Sequence, residues 1–72
     1  MVIRAQKFVS GAKPREVNYE ATHIVKTHVP YANKCIIEVY PGAHRISVPE
    51  DADVVYVMND SGKTIDTIRG GE

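Results

Sequence analysis

Lys34 to Val48 reads KCIIEVYPGAHRISV: an apolar, β-branched run, a Pro-Gly pair, then a second run. This predicts a β-hairpin. Pro41 presets φ for the second position of a type II turn, and Gly42 supplies the positive φ of the third. With Tyr40 to Ala43 as the turn, Val39 faces His44, Glu38 faces Arg45, Ile37 faces Ile46 and Cys35 faces Val48. Cys35, Ile37, Val39, Ile46 and Val48 then share one apolar face, and Glu38, Arg45 and Tyr40 share the other. An opposite-charge pair across strands contributes about 0.2–1 kcal/mol, so Glu38 and Arg45 support this register without deciding the fold.

Upstream, residues 2–9 (VIRAQKFV) read as a first strand with neither face cleanly apolar. Arg4 and Lys7 suit an edge, where charge discourages pairing with another chain. Ser10 to Arg15 is a loop punctuated by Gly11 and Pro14. Glu16 to Val29 has two readings. Val17, Tyr19, Ala21, His23, Val25, Thr27 and Val29 alternate as in a strand, whereas Val17, Ala21, Ile24, Val25 and His28 share a helical face. Its many β-branched residues favour strand. Fourteen residues is long for one strand, so a bend or bulge is expected near Ala21–His23.

Downstream, Pro49 to Asp53 is an acidic loop, and a second hairpin follows it. Val54 to Met58 is apolar on both faces and reads as a central strand. Asp60-Ser61-Gly62 suits a three-residue loop with Gly62 in the left-handed region. Pairing Asn59 with Lys63 sets Val57 opposite Ile65, Tyr56 opposite Asp66, Val55 opposite Thr67 and Val54 opposite Ile68. The sum is an all-β domain over residues 1–69, a small antiparallel barrel or curved sheet of about five strands. The alternative is α+β, with residues 15–28 as a helix. Arg69-Gly70-Gly71 is similar to the ending of ubiquitin-like modifiers and sulfur carriers, over those three residues. With Glu72 beyond it and no central helix for a β-grasp fold, residues 70–72 read as a flexible tail.

Seventy-two residues build one thin core. The lone cysteine, Cys35, has no disulfide partner in the chain and fits a reducing, cytoplasmic setting. No apolar run approaches a membrane span and none follows a basic N-terminal flank, so neither a span nor a signal peptide is expected. The formal net charge is zero but unevenly spread. Residues 1–34 carry six basic and two acidic side chains, and residues 35–72 carry three basic and seven acidic. Opposite halves of this kind either mix within one folded molecule or steer it to a partner.

No constellation of catalytic residues stands out. Zinc needs three or four converging ligands. His23 and His28, five apart, point to opposite faces of a strand, and Cys35 sits several residue pairs from His44. No metal or cofactor is expected. Cys35 alternates with Ile37 and Val39 and so points inward, which removes the obvious nucleophile. The expectation is a non-enzymatic binding or adaptor domain that acts on a protein partner or on itself, through exposed strand edges. Tyr40, Arg45 and Glu38 are its candidate contact residues. The alternative is a nucleic-acid-binding β-barrel whose aromatic and basic face includes Arg4, Lys7, Tyr19, Lys26, Tyr31 and Lys34. A sequence pI near 6.8 weighs against that alternative.

Overall fold

The computed structural model describes residues 1–70. Seven strands follow in order: β1 Val2–Lys7, β2 Arg15–Glu20, β3 His23–Val29, β4 Lys34–Tyr40, β5 His44–Val48, β6 Val54–Met58 and β7 Thr64–Arg69. A 3-10 turn, Pro30–Ala32, joins β3 to β4. All pairings are antiparallel. The strands form a four-stranded sheet, β2-β1-β6-β7, and a three-stranded sheet, β3-β4-β5. The fold is all-β, as the composition of its strands predicts, but the two sheets do not close into a barrel.

The ambiguous stretch from Arg15 to Val29 is neither a helix nor one strand. It is β2 and β3, broken at Ala21–Thr22, and the break carries the chain from one sheet to the other. The amide of Ala21 donates to Met1 O at 2.8 Å and that of Thr22 to Tyr40 O at 2.8 Å, so each half of the corner is fixed to a different sheet. The return crossing runs through Pro49–Asp53. Ala21 and Ala52, both buried, mark the two crossings. A small side chain suits a corner where two sheets converge.

The core lies between the sheets. Ile3 and Ala5 of β1, Val55 and Val57 of β6 and Ile68 of β7 meet Cys35, Ile37 and Val39 of β4 and Ile46 and Val48 of β5. The β4–β5 register is the expected one, with Cys35 opposite Val48, Ile37 opposite Ile46, Glu38 opposite Arg45 and Val39 opposite His44. Its turn differs in detail: Gly42 has the expected positive φ, but Ala43 also lies in the left-handed region and the Tyr40–Pro41 bond is cis.

Two further expectations are corrected. The first strand is not an edge: its backbone pairs with β2 on one side and β6 on the other, and Ile3 and Ala5 form a buried face that the mixed alternation of VIRAQKFV obscures. In the second hairpin the register shifts by one at Val57/Met58, so Val57 faces Asp66, Tyr56 faces Thr67 and Val55 faces Ile68. The extra residue is Ile65, left 59% exposed, while Ile68 enters the core. A bulge of this kind inserts one unpaired residue and reverses the facing of everything beyond it. The turn itself is as read, with Gly62 at positive φ and Asn59 Oδ1 accepting from the amides of Ser61 and Lys63, both at 3.0 Å. Strand β6 is central and buried on both faces, Val55 and Val57 inward and Val54 and Met58 outward.

At the end of β7, Gly70 lies so close to Pro49 that an added Cβ would come within 2.6 Å of the proline ring. Gly71 and Glu72, the rest of the expected tail, lie outside the described residues. Among those described, no helix is long and apolar enough to cross a membrane.

Candidate functional site

Tyr40, Glu38 and Arg45 share the outer face of the three-stranded sheet, as their alternation requires. Their chemistry is not the expected cross-strand ion pair. The Tyr40 hydroxyl donates to Glu38 Oε2 at 2.6 Å, and its ring stacks on His23 with centroids 4.9 Å apart. The bond to Glu38 holds the Tyr40 phenol above its ordinary pKa; partial burial and the Glu38 charge add to this, and Arg45 opposes it. Glu38 is thus occupied by its neighbour two residues along. Arg45, opposite it in register, forms no ion pair among the described residues.

The residues named for a nucleic-acid face are spread over both sheets and the 3-10 turn. Arg4 lies on the outer side of the four-stranded sheet, its Nε donating to Asn18 Oδ1 at 3.1 Å and standing 3.5 Å from Glu16. Hydrogen bonds from Gln6 and Asn18 hold the Glu16 carboxyl below its ordinary pKa, with the Arg4 charge adding to them. Lys7 donates to Pro49 O at 3.1 Å and pairs with Asp53 at 3.6 Å. Lys26 pairs with Asp66 at 3.2 Å and Lys34 with Glu50 at 3.5 Å. Tyr31 stands 93% exposed on the 3-10 turn, whereas Tyr19 is half-buried and stacks on His44, centroids 4.7 Å apart. Each of the four cations already has a carboxylate beside it.

What the structure does bring together is a groove between the free edges of β2 and β5. Arg15, Val17 and Tyr19 pair with Lys7, Ala5 and Ile3, so their side chains lie on the core-facing side of the sheet. Tyr19 packs on His44 of β5, whereas Arg15 and Val17 remain exposed there. Val17 is 50% exposed on the side where a valine would ordinarily be buried. The space beneath it, about 350 Å³, is lined by Ala5, Lys7, Arg15, Val17, Tyr19, Arg45, Ile46 and Asp51. Arg15, like Arg45, forms no ion pair among the described residues.

The two edges of this groove differ. That of β5 is closed at Ser47, whose amide donates to Asp51 Oδ2 at 2.9 Å and whose carbonyl accepts from the amides of Asp51 and Ala52 at 2.6 and 3.3 Å. Asp53 has a similar part, accepting from the Phe8 amide at 2.7 Å. The acids read from sequence as a solvated loop therefore terminate backbone. No backbone group of β2 makes a hydrogen bond outside its ladder with β1 among the described residues. Its edge is open.

The opposite side of the molecule, between β3 and β7, holds a smaller space of about 220 Å³ lined by Lys26, His28, Cys35 and residues 67–69. There the Lys26–Asp66 pair links one sheet to the other. Cys35 lies beneath it, 4% exposed, and burial pushes its thiol above the ordinary value. His23 and His28 lie on opposite faces of β3, as alternation requires. The β2–β5 side combines an open strand edge, a half-exposed core-facing valine and two arginines without ion-pair partners among the described residues. The chain matches no family model, no curated protein and no solved structure.

Proposed function

We propose that this protein is a non-enzymatic binding module that takes an extended segment of another protein as an additional strand on the edge of β2. The observation that carries this reading is Val17, a core-facing valine left half exposed beside an unpaired strand edge. An incoming strand would pair with the free backbone groups of β2, and its alternate side chains would cover Val17 and the exposed part of Tyr19. Completing the burial of one valine contributes about 1 kcal/mol, half its full transfer value, and each new backbone hydrogen bond about 0.5–1.5 kcal/mol. Edges of this kind are usually blunted by a charge, a bulge or a covering loop. A loop covers β5 at Ser47, and none covers β2 among the described residues.

This moves the binding surface away from Tyr40 and Glu38 and keeps Arg45, which reaches the groove from the strand opposite. Pairing of Arg4, Lys7, Lys26 and Lys34 with carboxylates counts against a phosphate-binding face. Inward burial of Cys35 agrees with the non-enzymatic reading, because it keeps the thiol from acting as a nucleophile. Selection of random peptides against the full chain tests the proposal. Selected sequences should alternate apolar residues, lose binding to Val17→Lys and keep it for Tyr31→Ala. Peptides indifferent to Val17→Lys would place the site elsewhere. A concentration-dependent dimer lost in Val17→Lys would make a second copy of this chain the occupant.

A further inference from the structure

We infer that the groove selects a carboxylate on the incoming strand, so that the partner segment is acidic on the side it turns towards the core. This rests on the edge-docking reading above and adds the chemistry of the ligand. Arg15 sits at one end of the core-facing row of β2, and Arg45 reaches the same groove from β5. Both guanidinium groups are without ion-pair partners among the described residues, whereas Lys7, which also lines the groove, is taken by Asp53 and the Pro49 carbonyl. The one acid in the lining, Asp51, has an oxygen engaged by the Ser47 amide. The groove therefore holds an excess of positive charge carried by two forked donors, over a floor of Val17, Tyr19 and Ile46.

Guanidinium binds a carboxylate through two parallel N–H donors, which fixes orientation as well as charge. Arg45 is available for this because Tyr40 occupies Glu38, its partner in register. The apolar floor asks for aliphatic or aromatic side chains at neighbouring core-facing positions. The segment that fits has an acid followed, at every second position, by apolar residues. A polynucleotide would offer negative charge to the arginines but not the alternating N–H and C=O groups that pair along the edge of β2.

The test uses the full chain, isotopically labelled, with end-blocked peptides of about six residues, a common strand length. One carries glutamate at its first position and valine at its third and fifth, with threonine at the positions between, and a second replaces the glutamate with glutamine. Amide shifts should concentrate in residues 15–20 for both peptides. The glutamate peptide should bind about tenfold more tightly, the worth of one hydrogen bond to a charged group, and lose that advantage in Arg15→Gln/Arg45→Gln and in high salt. Equal affinity of the two peptides at β2 would overturn the carboxylate reading while leaving edge docking intact. Absence of any shift in β2 would overturn edge docking itself. Tighter binding of an oligothymidylate at the same arginines would replace both with a nucleic-acid site.

Discussion

Tyr40 shows how one side chain can redirect its neighbours. Cross-strand reasoning places Glu38 opposite Arg45, and the structure keeps that register while pairing Glu38 with the Tyr40 hydroxyl. The sequence shows that all three share a face but not which of two partners the carboxylate takes, since that depends on side-chain geometry. Ionising Tyr40 would bring a phenolate against Glu38 and remove the donor of their hydrogen bond. Spectrophotometric titration should therefore show one tyrosine ionising above the others, and Glu38→Gln should bring it back towards them. Tyr40→Phe frees Glu38 to reach Arg45, so affinity for a glutamate-bearing strand should fall although residue 40 touches no ligand. At Cys35 the expectation is simple: burial and the raised thiol pKa should leave it inert to a disulfide reagent at neutral pH until the protein unfolds. Rapid native reaction would show that β4 does not face the core as described.

At the scale of elements, the first hairpin was legible because its alternation, turn and apolar face all agree. The second was legible in everything except one residue. A bulge at Ile65 is set by how β7 meets β6 and the opposite sheet, which local pattern does not record. Ile65→Thr should change stability by no more than about 0.5 kcal/mol, as expected for a surface position, whereas Ile68→Ala should cost about 2–5 kcal/mol. In the unshifted register, which sets Ile65 opposite Val57, Ile65→Thr would be the costly change. Denaturant unfolding of the two variants separates these cases. The stretch from Arg15 to Val29 was legible as β, and its bend was expected near Ala21, but not that the halves belong to different sheets. That choice is made by Met1 and Tyr40, which take the amides of Ala21 and Thr22.

Over the whole molecule, the opposed charge of the two halves resolves into contacts between them: Lys7–Asp53, Lys26–Asp66 and Lys34–Glu50 each join a basic residue of the first half to an acid of the second. Exposed pairs of this kind contribute about 0–1 kcal/mol each, so moderate salt should shift the unfolding midpoint little. The groove could not be read from the sequence because it is defined by what is missing. Arg15, Val17 and Tyr19 alternate like any strand, and only the topology leaves Arg15 and Val17 exposed on the core-facing side. The most direct test replaces single residues of the full chain with a photo-reactive amino acid and irradiates it in the cells that produce it. Position 17 should give a discrete adduct with another protein, and positions 31 and 40 should not. An adduct from 31 or 40 with none from 17, or an adduct from 17 that nuclease removes, would contradict the account.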